Sequence, residues 1–267
     1  MDNLPRITIV TPSLNQGAFL EETIVSVIDQ NYPNLEYIII DGGSNDASIE
    51  IIRKYAQYIA YWVSEKDLGQ SDAIAKGFDR STGEILAWLN SDDQYLPDTL
   101  FKIGKYFCEN PTVDIVYGDY FLLFPDGSRK LKKKIDFDYS IALYSYLMIP
   151  QPSAFWCRDI YVNSGGVDRS LFYAMDYDLF LRMAKIGRIG HLREPLSLFR
   201  LHSSSKSVAS MNRFEAENYI SRAKHLSEKV MKSRIFQIRQ FLYLLKAVWL
   251  FVWQRGVIAL RKEKGKA

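Results

Sequence analysis

The sequence predicts an α/β fold: a mostly parallel central sheet flanked by helices, with a helical extension at the C-terminus. Three observations lead there. Four short apolar runs alternate with three helix-period segments before residue 95, the signature of βαβ units with right-handed crossovers. Three of those runs end in polar clusters, at 11–15, 41–46 and 90–93. In such sheets ligands bind at the carboxyl ends of the strands. Beyond Met211 the pattern is helical.

The elements follow in order. Residues 7–10 form the first strand, stopped by Thr11-Pro12. Segment 19–30 carries Phe19, Ile24, Val27 and Ile28 at helical spacing, and Asn31-Tyr32-Pro33-Asn34 breaks it. Residues 35–40 are the second strand, closed by Asp41-Gly42-Gly43-Ser44. A helix over 46–58, a strand over 59–64, a helix over 71–80 and a fourth strand over 85–89 come next. The second half is less regular. A strand is expected over 113–123, a helix from near Asp176 and a short strand over 196–201. The basic run 129–134 reads as a solvated loop.

The 267 residues, 30.9 kDa, suit one domain over 1–210 and an appendage over 211–267. With 48% hydrophobic and 24% charged residues the chain can bury a core without disulfides. Two cysteines, Cys108 and Cys157, exclude a disulfide framework. Three scattered histidines, His191, His202 and His225, argue against a histidine-rich metal cluster. No apolar signal segment precedes the first strand, so a cytoplasmic protein is expected. The net charge of +3 conceals an asymmetry. From Arg222 onward 12 Lys/Arg face 2 Asp/Glu, while the first 221 residues hold 22 against 29. An acidic body argues against nucleic acid as the ligand of the cleft.

The clearest constellation is Asn90-Ser91-Asp92-Asp93. Adjacent carboxylates repel unless a cation sits between them. Hard oxygen ligands suit Mg²⁺ or Mn²⁺ shared with a diphosphate. The plain alternative is that Ser91 or Asp92 caps a following helix. Asp41 can accept from a base imide or a ribose hydroxyl, and Gly42-Gly43 lets the backbone approach a ligand; alternatively the three form a strand-to-helix turn. Asp176 and Asp178 open a helix, one as general base and the other favouring the helix dipole, or both as caps. His202 can ligate a metal or donate to a phosphate, and Lys206 can neutralise one.

Eight stretches, in order, carry a family likeness. They begin with Ile9-Val10-Thr11-Pro12-Ser13-Leu14-Asn15, Asp41-Gly42-Gly43-Ser44-Asn45-Asp46, the run 64–77 and Trp88-Leu89-Asn90-Ser91-Asp92-Asp93. Gln151-Pro152-Ser153, Gly165-Gly166-Val167-Asp168, Met175-Asp176-Tyr177-Asp178 and Phe199-Arg200-Leu201-His202 complete them. Together they resemble a family 2 glycosyltransferase of the Rossmann-like GT-A fold, of the bacterial surface-polysaccharide type. The resemblance implies inverting transfer of a sugar from a nucleotide-sugar, UDP-linked by expectation, to a saccharide or lipid-linked saccharide hydroxyl. It implies that Thr11, Pro12, Ser13 and Asn15 line the nucleotide pocket. Asp41 with Gly42 would hold the base or ribose. Asp72 and Lys76 would lie near the ribose or diphosphate, and Asn90 and Ser91 beside the donor. Asp92, Asp93 and His202 would bind Mn²⁺ or Mg²⁺, and Asp176 would deprotonate the acceptor.

Three positions depart from the usual family pattern. Gly42 stands where Asp is usual, Asn90 replaces the first acid of Asp-x-Asp, and Met175 replaces a Glu. A catalytically impaired nucleotide-sugar-binding module is the reading these departures leave open. A sugar-phosphate nucleotidyltransferase would want a Gly-rich basic phosphate loop, and residues 11–17 have none.

The tail carries a separate expectation. Residues 241–253 are apolar apart from Lys246, shorter than the roughly 20 residues of a spanning helix. Lys232, Arg239 and Lys246 recur every seven residues, drifting only about 20° per step. A basic stripe, an apolar face and two Trp predict an interfacial helix on an anionic membrane surface over 232–266. Packing on the body, or in a homodimer, is the alternative.

Overall fold

The computed structural model describes residues 4–203 and 211–264. Lys206 and the end of segment 232–266 lie outside them. Nine strands are described: β1 (Ile7–Ser13), β2 (Leu35–Asp41), β3 (Tyr61–Ser64), β4 (Ile85–Trp88), β5 (Gln94–Tyr95), β6 (Ile115–Leu123), β7 (Arg129–Lys132), β8 (Ala154–Cys157) and β9 (Ile189–Arg200). The helices are α1 (Leu20–Ile28), α2 (Ser48–Lys54), α3 (Gln70–Arg80), α4 (Thr99–Glu109), α5 (Tyr139–Tyr144), α6 (Arg158–Asn163) and α7 (Met175–Ile186). Three more follow: α8 (Met211–Ala223), α9 (Glu228–Met231) and α10 (Arg234–Lys264).

The strands form one sheet in the order β3-β2-β1-β4-β8-β6-β9-β5, with β7 paired to β6. The first four strands pair with one another only in parallel, as expected. The other half is mixed. β8 runs antiparallel to β4 and β6, and β9 runs parallel to β6 and antiparallel to β5. Both faces of the parallel half are covered, so its strands are apolar throughout rather than alternating. On β2, Ile38 and Ile40 face one core with Ala73, Phe78, Trp88 and Phe180. Tyr37 and Ile39 face the other, with Leu20, Ile24 and Ile103. Helix α3 lies close on β1, since a Cβ at Gly77 would come within 2.4 Å of Val10.

Two expectations change. The basic run 129–134 is a hairpin strand, not a loop, over its first four residues. Asp126-Gly127 supplies the turn: Gly127 has φ +80° and Phe124 N–H donates to Ser128 C=O at 2.9 Å, the short-range hairpin chemistry of an Asp-Gly pair. Within the expected basic stripe, Arg239 and Lys246 bond to the body rather than standing open. Arg239 donates to the Tyr144 hydroxyl at 2.9 Å, and Lys246 meets Asp138 at 2.5 Å. Both anchor α10 on the body beside a third core of Ile141, Met148, Tyr177, Phe236 and Ala247. The opposite face is apolar and open: Ile235, Ile238, Phe241, Trp249 and Val252 are each more than half exposed. Arg234–Val252, 19 residues of mean hydropathy 1.4, is long and apolar enough by length and composition to cross a membrane.

Candidate active site

The carboxyl ends of β1 and β4 open onto a cavity of about 470 Å³. Pro12 and Ser13 reach it from β1, Asn90, Ser91 and Asp92 from the turn after β4, and Asp176 from the start of α7. Phe172, Tyr173, Phe199 and Phe214 add an aromatic wall. Phe214 comes from α8, so the C-terminal segment contributes to the cavity.

The turn after β4 runs into β5, not a helix, so neither Ser91 nor Asp92 is a helix cap. Asp93 is 1% exposed, and its carboxylate accepts the Arg200 backbone N–H at 3.0 Å. Burial, with the charge of Asp92 adding, pushes its carboxyl well up. Arg200 Nε donates to the Asp92 carbonyl at 3.0 Å. The end of β9 is thus pinned to the turn. His202 Nε2 then lies 2.9 Å from Asp92 Oδ2, across 110 residues of chain. The Phe19 ring packs on the imidazole at 4.6 Å between centroids. The adjacent acids divide: Asp92 lines the cavity and Asp93 does not. Among the described residues no three His, Cys, Asp or Glu side chains form a metal-holding group.

Asn90 sits in an amide relay. Its Nδ2 donates to Gln151 Oε1 at 3.0 Å, and its Oδ1 accepts from Gln70 Nε2 at 2.7 Å. Gln151 Nε2 in turn donates to the Trp88 carbonyl at 2.7 Å. The position needs a donor and an acceptor at once. A carboxylate there would oppose Gln151 Oε1 and stand beside Asp93. Gln70 and Gln151 both line the cavity. They lay inside the family-like stretches, but nothing local in those stretches marked them as partners of Asn90.

The two acids of α7 also divide. Burial raises the Asp176 carboxyl to about 6, against the donated Tyr177 N–H. Asp178 is fully buried and pairs with Arg182 and Lys224, each at 2.7 Å. Neither serves as a cap. Glu217 of α8 accepts the backbone N–H groups of Phe172, Tyr173 and Ala174 at 3.0, 2.7 and 2.8 Å. Met175 is buried in the core, where a Glu would be desolvated.

The remaining expected residues surround the cavity without lining it. The Thr11 hydroxyl meets the Tyr37 hydroxyl at 3.1 Å. Asn15, with φ +51°, donates its N–H to Ser44 Oγ at 2.8 Å and accepts from Asn45 N–H at 2.9 Å. Asp41 accepts from Gly43 N–H, Ser44 N–H and the Ser44 and Ser64 hydroxyls, at 3.1, 2.8, 2.5 and 2.7 Å. Asp72 pairs with Arg169 at 2.9 Å and Lys76 at 3.4 Å, and Lys76 reaches Glu65 at 3.0 Å. Gly42 leaves room for an acid from elsewhere: a Cβ there would lie 2.6 Å from Asp67 Oδ2. Asp67 lines the cavity, and burial raises its carboxyl. Ser13 Oγ and Gln16 Oε1, both from cavity-lining residues, are buried without a hydrogen-bond partner among the described residues.

Residues 8–161 match the family described as Glycosyl transferase family 2. The chain belongs to that family. An uncharacterized glycosyltransferase of Rickettsia typhi is 27% identical over 227 residues, 79% of this chain and 69% of the relative. A putative teichuronic acid biosynthesis glycosyltransferase of Bacillus subtilis is 32% identical over 129 residues, 46% of this chain and 50% of the relative. Among solved structures, residues 1–349 of TarS from S. aureus in complex with UDP-GlcNAc superpose with TM-score 0.66 at 14% identity, covering 91% of this chain and 71% of that one. A mannosyltransferase of Pyrobaculum calidifontis, in complex with GDP-Man and Mn²⁺, gives 0.60 at 17%, covering 97% and 81%. The family 2 chain therefore has the GT-A architecture, with a C-terminal helix added.

Glu217 links that C-terminal segment to residues 172–174, just before α7, which gives a test. Glu217→Ala leaves three N–H groups without their acceptor, a loss of about 1–3 kcal/mol. Urea denaturation is expected to show it, with faster hydrogen exchange at residues 172–174. Unchanged exchange there would contradict the capping role.

Proposed function

We propose that this protein is an inverting glycosyltransferase, assisted by a divalent cation. It moves a hexosyl or N-acetylhexosaminyl group from a UDP-linked donor to a saccharide or lipid-linked saccharide hydroxyl. One observation carries the reading: a single cavity is lined by Asp92, paired with His202, and by Asp176, which makes no ion pair among the described residues and has its carboxyl raised to about 6. Two acidic sites with separate duties are what the reaction needs. A leaving nucleoside diphosphate gains negative charge on one side, and an acceptor hydroxyl loses a proton on the other.

The donor set fits a divalent cation. Asp92 offers a carboxylate oxygen and His202 an imidazole nitrogen, already 2.9 Å apart, and Mn²⁺ or Mg²⁺ takes further oxygens from phosphate and water. When bound, the cation would offset the charge of the departing diphosphate. Asp93 is the positioning residue that fixes Arg200 and hence His202. The unpartnered Ser13 hydroxyl and Gln16 carbonyl, with Asp67, form the nucleotide end. Thr11, Asn15, Asp41, Gly42, Asp72 and Lys76 set the shape of that end rather than lining it. The neighbours bound to UDP-GlcNAc and to GDP-Man with Mn²⁺ support a nucleotide-sugar and a cation. Asn90 is built into a complete hydrogen-bond relay, which supports a working site over an impaired binding module.

The exposed face of α10 supports attachment to an anionic bilayer on the cytoplasmic side. Between Glu228 and Glu263 the sequence holds no acid. A second copy of the helix would set cation against cation, whereas anionic lipid complements both ends.

Calorimetric titration with UDP is expected to give binding that requires Mn²⁺ and is lost in Asp92→Ala. Binding indifferent to both changes would overturn the donor assignment. The rate is expected to fall tenfold per pH unit below about 6, since a protonated Asp176 accepts no proton; an ordinary Asp would place that limb near ~3.9. Asp176→Asn is expected to lower turnover about 10²–10⁴-fold and leave UDP binding intact. In sedimentation with vesicles, the protein is expected to pellet with phosphatidylglycerol and not with phosphatidylcholine. Dimerisation in solution without vesicle binding would assign the face to a second copy.

A further inference from the structure

We propose that the acceptor end of the cavity takes a saccharide bearing a carboxylate or a phosphate, and that the Lys134 ammonium holds that anion. The proposal rests on the transferase reading above and specifies its acceptor.

Lys134 ends the basic run, two residues past β7. Its backbone N–H donates to Asp119 Oδ1 at 2.7 Å, which fixes where its side chain leaves the hairpin. Among the described residues it is the only Lys or Arg lining the cavity. Its ammonium makes no hydrogen bond or ion pair among those residues; the Tyr146 ring lies beneath it at 5.7 Å. The acids nearby have other partners. Asp119 lies 3.4 Å from His191 Nε2, and Asp136 pairs with His191 and Arg193 at 3.0 and 2.7 Å. A cation removed from water without an anion is costly. Accordingly, burial lowers the ammonium to about 8, with Lys132 adding to the shift and Asp119 opposing it. An anionic ligand would relieve that cost through a charge-assisted hydrogen bond.

The position favours the acceptor over the nucleotide. Lys134 lines the cavity with Tyr120 of β6 and with Leu147 and Ile149. In the sheet, β4 and β8 stand between β6 and β1, which carries Ser13. Among the described residues the cavity's other charged side chains are Asp67, Asp92 and Asp176. The anion would bind at one place and be repelled elsewhere, which orients the sugar as well as holding it. Phe172, Tyr173 and Phe214 offer flat apolar surface to the ring.

The test uses methyl β-D-glucuronide, glucose 6-phosphate and methyl β-D-glucoside as probes of the full-length protein, with and without UDP and Mn²⁺. Lysine ¹³Cε signals follow the ammonium and calorimetry follows affinity. Either anionic sugar is expected to bind at least tenfold more tightly than the glucoside and to move the Lys134 titration upward. Lys134→Met is expected to remove that preference and leave UDP affinity within twofold, and Lys134→Arg to keep the preference. Equal binding of charged and neutral sugars would overturn the proposal. So would a Lys134 titration moved by UDP alone, or by UDP-glucuronate and not by methyl glucuronide; these outcomes assign the lysine to the diphosphate or to the transferred sugar. If UDP does not bind at all, the donor assignment fails on its own, and the glucuronide arm still reads Lys134.

Discussion

The buried carboxylate of Asp93 is the contact on which the candidate site depends. It accepts one backbone N–H, that of Arg200, where strand β9 passes the turn after β4. That bond joins the parallel half of the sheet to its mixed half at the point where the cavity opens. The Arg200 side chain adds a bond to the Asp92 carbonyl. With both ends fixed, Asp92 and His202 meet at 2.9 Å. A carboxyl so deeply buried, beside a second acid, is costly to ionise, and Asn90 Nδ2 at 3.5 Å is one of the few groups that help it. The amide at position 90 belongs to the same solution: it supports Asp93 and ties Gln70 to Gln151.

Environment separates carboxylates that are alike in sequence. Asp92 and Asp93 are neighbours, yet one faces the cavity and the other the sheet. Asp176 and Asp178 lie two residues apart on α7, which turns their side chains to different sides. Asp178 meets two cations and becomes a strut. Among the described residues Asp176 meets none; it is desolvated, and has the raised carboxyl that suits a general base.

The C-terminal helices take part in the catalytic body. Glu217 covers the three N–H groups before α7, Lys224 pairs with Asp168 and Asp178, and Phe214 stands in the cavity wall. Arg239 and Lys246 hold α10 on α5. Between Ile235 and Val252 the outward face of α10 is mostly apolar, and a face of that size needs a cover other than water.

The sequence by itself determined the parallel half of the sheet, because both of its faces are buried and its strands are continuous apolar runs between polar turns. It also singled out Asn90 to Asp93 and Asp176 as candidates, from acids placed at the end of a strand and the start of a helix, and the family match over residues 8–161 agrees with the resemblance. Only the tertiary structure decided which acid of each pair lines the cavity, because that depends on partners 46 to 110 residues away: Arg200 for Asp93, His202 for Asp92, Lys224 for Asp178. It alone showed that Asp67 fills the space beside Gly42, and that Arg239 and Lys246 bond to the body while the apolar face over 235–252 is open. Spacing along a chain fixes which side of a helix or strand a residue takes. Burial and charge pairing are set by what folds against that side.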